Sequence, residues 1–460
     1  MNKSKSILII FCLFAFVSII LISYYVFRFF QFSGDEYSYV FQSKIFKSGR
    51  LYSNSPQIPE FFELHHVIND GRWYSKYPFG WPLIMSLGEA FNLRWIVNPL
   101  IGVIAIVVLF YFTEFILNKE IAHISIFLMV TSPFFIFNSS SYFPHPSSLL
   151  FSLAFLFFYL LSLKKQGRLY PIAVGFSGAV LFFIRPIDFL VISIPIAIYS
   201  LIALYHDNSL LKALVTMLSV FLILSSIPLY INYVLTGNPL KFAYSVYNPN
   251  DRLGFVYGNG LMSGIQNTTH HFAFLLIWLP FAVLIPFAKY NKINWLLLSI
   301  FIVNVLAYFF YFSPGGDQFG PRYYYISLPS MLILASSAIN RLKTNKKWIL
   351  SLLLLLNLAL NIYFAWDIHR EVLFRRQVYD FVVEQDTHNS IILLKSTKEQ
   401  GCAWYTRNSP TLDDDNLFVC DLGYIKNKEL IKAFPNRKIH FYDLKVMGQS
   451  TSDYHKTLVW

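Results

Sequence analysis

Two adjacent carboxylates follow the first long apolar run of the chain. Asp35 and Glu36 stand directly after the run 7–30, where the chain leaves hydrocarbon and neighbouring acids are costly. A carboxylate fixed there faces a groove between membrane and water, where a general base could deprotonate a water-borne acceptor that attacks a lipid-borne donor. The structural alternative is a cap, in which Gly34 and Asp35 cap a helix that begins at Glu36.

The residues after this pair predict a helix that lies on the membrane surface. Tyr37, Val40, Phe41 and Ile45 recur at helical spacing, while the lysines of the same stretch point elsewhere. Such a helix would hold a carboxylate at its start, at the level of the membrane surface.

The same loop continues into an aromatic run at 71–82, GRWYSKYPFGWP, which predicts a structured loop at an interface. Lys76, beside Tyr77, offers a point charge for a lipid phosphate, or it extends to lipid headgroups as surface lysines do. His65 and His66 precede this run, but they have no partner carboxylate at useful spacing. A divalent metal is therefore an open alternative that the spacing does not support, and no other cofactor is implied.

Three more ionisable groups lie in apolar runs or at their ends. Arg185 stands three residues before Asp188, so an internal ion pair is the alternative to a functional role. Arg322 follows Asp317 in a short loop, and a local pair that braces the loop is its alternative. His145 lies in the segment YFPHP. Together with Tyr77 and Tyr323, it is a candidate for lining a polar pocket.

The composition places these residues in a membrane protein. Of 460 residues, 55% are hydrophobic and only 13% are charged, well below the ~25% of soluble domains. Apolar runs of spanning length predict an α-helical polytopic protein with about eleven transmembrane helices. They lie at about 7–30, 95–117, 121–138, 146–163, 170–184, 187–205, 211–235, 271–288, 294–312, 323–339 and 347–366.

The loops between these runs predict the orientation. Short basic segments at Lys119, 164–168, Lys212, 289–292 and 341–347 alternate with longer segments rich in Tyr, Asn, Pro and Gly at 31–94, 139–145, 236–270 and 313–322. The positive-inside rule puts the basic segments and the N-terminus in the cytoplasm of a plasma (inner) membrane protein. Parity then puts Asp35, Lys76, His145, Arg185 and Arg322 on the outer face, where they would form a polar pocket. The excess of basic residues, +12 overall, reflects these loops and anionic headgroups rather than nucleic acid.

The last 94 residues predict a water-soluble domain, because residues 367–460 hold 13 basic and 13 acidic side chains. Short apolar runs at 391–394, 417–419 and 439–442, with a helix-like stretch at 428–434, indicate a small extracytoplasmic α/β domain. The predicted domains are therefore 1–366 and 367–460. Whether Cys402 and Cys420 form a disulfide is left open, because spacing does not test the geometry.

The chain resembles the GT-C class of membrane glycosyltransferases, in particular the group with protein mannosyltransferase-like and aminoarabinose transferase-like enzymes. The resemblance covers about residues 1–366 and is carried by Asp35-Glu36, the run 71–82, Arg185-Pro186 and the run GPRY at 320–323. Phe79 stands where many relatives have a second proline, which alters loop stiffness but removes no charged group.

The resemblance implies an enzyme that moves a sugar from a polyprenyl-phosphate donor to an extracytoplasmic acceptor with inversion. It further implies an acidic residue in the first outer loop that acts on the acceptor, and Asp35 matches that residue best, with Glu36 beside it. It also suggests that Lys76, Arg185 and Arg322 surround the donor phosphate.

Two other functions fit part of the pattern. A transporter or lipid-linked sugar flippase would also have charges and broken helices within the membrane, but no matching interrupted spans recur in two halves. An assembly or sensor protein that binds a partner through its tail would depend more on the polar tail residues than on Asp35.

Overall fold

The computed structural model describes residues 3–165, 167–251, 254, 260–311, 318–342, 345–395 and 402–444. The α-helices are α1 Lys3–Leu21, α2 Gly34–Lys47, α3 Gly80–Ala90, α4 Val97–Ile116, α5 Lys119–Thr131, α6 Pro133–Ser140, α7 His145–Lys164, α8 Leu169–Ile184, α9 Pro186–His206, α10 Leu211–Leu224, α11 Ser226–Thr236, α12 Ala243–Tyr247, α13 Leu261–Trp278, α14 Lys292–Phe309, α15 Leu328–Arg341, α16 Lys346–Glu384 and α17 Tyr424–Ala433. The strands are β1 Ser53–Asn54, β2 Val67–Asn69, β3 Arg72–Ser75, β4 Ser390–Lys395, β5 Asn416–Cys420 and β6 Lys438–Asp443.

The bundle is the helical membrane architecture that the apolar runs predict. Seven of its helices are long and apolar enough to cross a membrane, and two bent helix pairs raise that number to nine within the described ranges. Only 6% of the most apolar window of Asn208–Thr236 is buried, so this segment turns its leucines outward, as lipid-facing helices do.

The predicted number of eleven spans is not confirmed. Each predicted run does contain a helix, but Leu169–Ile184 and Leu328–Arg341 are only 16 and 14 residues long. Two other runs are broken: α5 and α6 meet at 59° beside Pro133, and α13 turns by 103° into a 3₁₀ segment that begins at Pro280. Proline removes a backbone donor and interrupts a helix, and a hydropathy window does not show such breaks.

The short basic segments meet at one end of the bundle. Three contacts join four of these regions: Ser4 with His123 at 3.2 Å, Lys346 with Glu120, and Arg341 with the Phe287 carbonyl at 3.0 Å. The segments at 31–94, 139–145 and 236–251 contact one another at the opposite end, called the site end below. Trp81 donates to the Tyr142 carbonyl there, at 2.8 Å.

The site end carries a layer of mixed structure. The first outer loop forms an antiparallel sheet of order β1-β3-β2, and the tail forms a parallel sheet of order β5-β4-β6 with α17 beside it. The predicted tail strands and helix are thus confirmed. Their apolar side chains form one core with α2 and the loop, so Phe41 and Trp73 pack with Ile391 and Leu417 of the tail.

A single helix connects the bundle to the tail. α16 runs for 39 residues, so the domain boundary predicted at residue 366 falls inside it. The division into two domains stays a prediction. Cys402 and Cys420, whose pairing the sequence left open, form a disulfide in the tail.

Candidate active site

The segment that leads to Asp35 is a tight turn held by arginines. Arg28 and Phe29 both have left-handed backbone conformations, with φ of 51° and 52°, which are costly for residues with a Cβ. Three arginines bind backbone carbonyls of the segment 28–32. They are Arg376 on the Arg28 carbonyl (3.2 Å), Arg407 on that of Gln31 (3.1 Å) and Arg375 on that of Phe32 (2.8 Å). The C-terminal part of the chain therefore fixes the approach to Asp35.

Glu36 fixes the same segment from the other side. Its carboxylate accepts three backbone N–H bonds, from Phe32 at 2.7 Å, Ser33 at 3.0 Å and Tyr142 at 2.7 Å. Ser33 in turn caps α2 by accepting from the Glu36 N–H, which completes a capping box. The alternative in which Gly34 and Asp35 cap the helix is therefore wrong. Burial raises the pKa of Glu36 to about 7, and the three N–H donors oppose that rise.

Because Ser33 and Glu36 cap α2, the Asp35 side chain is available to contact other groups. It accepts a hydrogen bond from the Tyr77 hydroxyl and lies 3.6 Å from His66 Nε2 and 3.7 Å from Arg322 Nη2. Burial alone would raise the pKa of Asp35, but Arg322, His66, Tyr77 and Lys76 together hold it below its usual value. Burial lowers the pKa of His66 to about 4. At neutral pH, Asp35 is therefore ionised and His66 is neutral.

Lys76 lies beside Asp35 in an aromatic cage. Its ammonium lies 4.8 to 5.6 Å from the centres of the Tyr77, Tyr244 and Tyr247 rings. Asp251 neutralises it at 3.3 Å and accepts a second hydrogen bond from Tyr311 at 2.5 Å. Lys76 is therefore an ion-paired lysine inside the protein and does not extend to headgroups.

A second charged cluster surrounds Arg185, the residue that separates α8 from α9. Its Nε lies 2.9 Å from Asp188, so the internal ion pair predicted as the alternative is present. Its other nitrogens lie 3.2 Å from His145 Nδ1 and 2.8 Å from the Tyr308 hydroxyl. Both His145 and Asp188 are buried.

Aromatic rings connect the two clusters. Tyr323 stacks on Tyr308 at 4.4 Å between ring centres and contacts Tyr311, which holds Asp251. The guanidinium of Arg322 lies 3.8 Å from the centre of the Phe143 ring, and its Nη2 donates to Gln318. Asp317, the predicted loop-bracing partner of Arg322, lies outside the described residues.

The predicted pocket residues thus fall into two adjoining groups. Asp35, Lys76, Tyr77 and Arg322 surround one centre, while Arg185 and His145 form the other, with Tyr323 between them. Sequence reasoning missed Asp251, although an acid in an outer segment rich in Tyr and Asn was a signal. It also missed the contact of His66 with Asp35. Within the described part of the chain, no group of three His, Cys, Asp or Glu side chains could hold a metal ion.

The first centre contains the groups that are needed for a proton transfer beside a developing negative charge. An ionised carboxylate, 23% exposed, can accept a proton, and a buried arginine 3.7 Å away can stabilise a developing negative charge. The chemistry that these parts allow is nucleophilic attack by a deprotonated hydroxyl with an anionic leaving group.

The fold is similar to that of solved membrane proteins, although no protein-family model and no curated protein matches the chain. ArnT, an aminoarabinose transferase from Cupriavidus metallidurans, bound to undecaprenyl phosphate, superposes with a TM-score of 0.60 at 12% identity, covering 95% of this chain and 90% of its own. The apo form of ArnT gives a TM-score of 0.55 at 14% identity, covering 94% and 89%. AglB, an archaeal oligosaccharyltransferase from Archaeoglobus fulgidus, gives 0.45 at 12% identity, covering 90% and 64%.

At this level of identity, the likeness to ArnT concerns the fold. It extends over nearly the whole of both chains, bundle and tail together. The chain therefore shares its fold with ArnT, which is the GT-C fold that the resemblance of its Asp35-Glu36 pair and of its 71–82 loop predicts.

Proposed function

We propose that this protein is an integral-membrane glycosyltransferase that moves a sugar from a polyprenyl-phosphate donor to an extracytoplasmic acceptor with inversion. The observation that carries the proposal is the environment of Asp35. It is an ionised carboxylate at the site end of a GT-C fold, with Arg322 at 3.7 Å and a tyrosine hydroxyl on its other oxygen. ArnT, which has this fold, was solved with undecaprenyl phosphate, and this supports a donor of that class.

In the proposed reaction Asp35 is the general base. It takes the proton of an acceptor hydroxyl while the acceptor oxygen bonds to the anomeric carbon of the donor. The bond from that carbon to the phosphate oxygen breaks on the opposite face, and the phosphate leaves with the electron pair. One displacement of this kind inverts the anomeric configuration. Glu36 supports the reaction by holding the turn and α2 in place.

Cations are needed where the leaving phosphate gains charge. Of the three predicted phosphate ligands, Arg322 has the most favourable position, because its guanidinium already lies beside Asp35 and binds no carboxylate more closely than 3.7 Å among the described residues. Lys76 would bind phosphate in exchange for Asp251, whereas Arg185 is already paired with Asp188 and would be a phosphate ligand only if that pair opened. We assign Tyr77, His145 and Tyr323 to the lining of the same pocket.

Transfer from defined donors tests this function. Purified protein in detergent would be given radiolabelled sugars on synthetic polyprenyl phosphates, with the same sugars on phosphate-free polyprenol as the matched control. We expect release of polyprenyl phosphate and an inverted linkage only with the phosphate donors. If neither sugar transfer nor donor hydrolysis occurs with any of them, the glycosyltransferase proposal is rejected.

The proposed reaction requires the site end to face outward. We infer that the basic end, which includes the N-terminus, is cytoplasmic and that the tail lies outside a plasma membrane. A reporter that is active only in the cytoplasm should be silent when fused after Trp460 and active when fused before the first helix. An active reporter after Trp460 would reverse this orientation.

A further inference from the structure

A second opening lies next to Asp35, between the first outer loop and the tail. It encloses about 410 Å³ and is separate from the charged pocket of Lys76 and Arg322. Its polar and aromatic lining comes from three parts of the chain: Glu60, Glu63, His65 and Asn69 of the loop, Tyr247 at the end of α12, and Ala403 of the tail.

The wall of this cleft directly precedes a side chain that contacts Asp35. His65 lines the cleft, and the next residue, His66, lies 3.6 Å from Asp35. The N–H of His66 donates to the hydroxyl of Tyr247, which lines the cleft, at 3.2 Å. A Cβ placed on Gly34 would lie 3.0 Å from the Cβ of His65, so Gly34 lets the wall pack directly against the start of α2. A molecule that contacts His65 in the cleft is therefore separated from Asp35 by His66.

The polar groups of the cleft are acceptors of hydrogen bonds. Glu60 pairs with Lys426 at 3.1 Å, whereas the carboxylate of Glu63 has no partner among the residues that the structure describes. The amide nitrogen of Asn69 donates to the Pro59 carbonyl at 3.2 Å, and its buried oxygen has no donor within the described ranges. The exposed Glu63 carboxylate is the acceptor that a ligand can reach, and hydroxyl groups supply the donors that it lacks.

Two exposed aromatic rings lie at this cleft: Tyr247 lines it, and Trp404 packs on His65, which lines it. Trp404 packs on His65 with 4.2 Å between ring centres and remains 39% exposed, and Tyr247 is 38% exposed. Carboxylates beside exposed rings suit sugars, whose hydroxyls donate hydrogen bonds and whose C–H faces pack on aromatic rings. The unpaired carboxylate of Glu63 also repels anions, in contrast to the cationic groups Lys76, Arg185 and Arg322.

We propose that this cleft binds the acceptor, and that the acceptor is a hydroxyl-rich glycan without phosphate or carboxylate groups. The inference rests on the proposed function. The bound glycan presents one hydroxyl past His66 to Asp35, which takes its proton as the oxygen bonds to the anomeric carbon and the polyprenyl phosphate leaves with the electron pair. Donor and acceptor thus approach Asp35 from two sides of opposite charge.

Binding of soluble glycans to the full-length protein in nanodiscs tests this assignment without any donor. The probes are neutral tetrasaccharides of glucose, mannose or N-acetylglucosamine, with tetragalacturonate as the anionic comparison, and the Kd is measured by calorimetry. We expect at least one neutral probe to bind in the millimolar range or more tightly, and tetragalacturonate to bind at least about tenfold more weakly.

Three variants locate the site. Glu63→Gln removes a charge-assisted hydrogen bond and Trp404→Leu removes a ring but keeps apolar bulk, so each should weaken binding about tenfold. Glu429→Gln on the exposed face of α17 is the matched control and should leave the Kd unchanged. Melting temperatures of all three should equal that of the wild type, since the substituted side chains are at least partly exposed.

Three results would overturn the proposal: no binding of any neutral probe, equal binding by the Glu63 and Trp404 variants and the wild type, or tighter binding of tetragalacturonate. Because the measurement needs no donor, such a failure would leave sugar transfer from polyprenyl phosphates standing. Conversely, intact glycan binding without transfer would reject the proposed function and leave a glycan-binding cleft.

Discussion

The two charged clusters at the site end satisfy their ions in different ways. Around Arg185, the carboxylate of Asp188 is 3% exposed and lies 2.9 Å from the guanidinium, and His145 and Tyr308 contact its other nitrogens. Around Asp35, the side chain is 23% exposed, and the neutral His66 and the charged Arg322 lie at 3.6 and 3.7 Å. The first cluster is a closed ion pair, while the second is an open arrangement of opposite charges.

This difference separates structural charges from reactive ones. In a buried pair in direct contact, the two charges neutralise each other, and removing one partner leaves an uncompensated charge. A carboxylate surrounded at a longer distance by several positive or donating groups stays ionised and keeps its oxygens available. We therefore expect the Arg185 cluster to govern stability and the Asp35 cluster to govern turnover.

The largest expected effect is on stability, in Arg185→Ala. The substitution leaves Asp188 buried without its partner, so the free energy of unfolding should fall by about 3–5 kcal/mol. The expected observation is a lower melting temperature of the purified variant than of the wild type. The double variant Arg185→Met with Asp188→Leu is the control and should recover most of the loss. An unchanged melting temperature with impaired donor binding would instead make Arg185 a phosphate ligand.

Next in size is the loss of turnover in Asp35→Asn. Asparagine keeps the size of the side chain but cannot accept a proton, so kcat should fall by about 100-fold or more while folding stays intact. Transfer of labelled sugar measures it.

The adjacent acid is the matched control for this variant. Glu36→Gln retains one acceptor oxygen for three N–H donors, so it should lower the unfolding free energy by about 1–3 kcal/mol. Its folded fraction should retain most of its activity. Near-normal turnover in Asp35→Asn together with an inactive, folded Glu36→Gln would move the base to Glu36.

A smaller loss of turnover is expected in Arg322→Lys. The charge remains, but the planar pair of N–H donors that fits a phosphate is lost, so kcat/KM should fall roughly tenfold, or ~1.4 kcal/mol. The measurement needs donor binding as well as transfer, because a phosphate ligand changes both. If donor affinity and rate are both unaffected, Arg322 does not bind the phosphate.

The smallest effect concerns pH, in Tyr77→Phe. Asp35 acts when ionised, so kcat/KM should be level above pH 5 as far as this group is concerned and should fall as the pH drops through its lowered pKa. Without the Tyr77 hydroxyl the carboxylate loses one stabilising partner, so its pKa rises and the acid limb moves to higher pH. The profile of kcat/KM on its acid side, followed down through the pKa of Asp35, measures this, with Tyr74→Phe as the control. A shift to lower pH would contradict the assignment of Asp35.

The sequence was most informative where one periodic pattern decides the structure. The apolar runs each contain a helix, and the spacing of Tyr37, Val40, Phe41 and Ile45 correctly predicts α2, on which all four are buried. The alternation of basic and polar loops correctly brings Asp35, Lys76 and Arg322 to one end of the bundle. These features depend on local hydrophobicity and charge, which can be read from neighbouring residues.

Contacts between distant segments could not be read in this way. The pairing of Lys76 with Asp251 joins residues 175 positions apart, and neither residue differs locally from an ordinary surface charge. The left-handed turn at Arg28 and Phe29 is stable because remote side chains hold it, so no local propensity predicts it. The helix breaks at Pro133 and Pro280 likewise reduced the number of clear spans below the number of apolar runs.

The arginines that hold the turn before Asp35 also determine how early the site can form during synthesis of the chain. Arg375, Arg376 and Arg407 bind carbonyls of residues that lie 343 to 376 positions earlier in the chain. At roughly 5–20 residues per second, a ribosome synthesises these arginines about 20–75 s after it has synthesised the residues of the turn. Throughout that interval the nascent chain contains Asp35 but not the three arginines that fix the turn before it. In the proposed reaction, proton abstraction by Asp35 would therefore need a chain that has been translated at least as far as Arg407 and has returned that segment to the first loop.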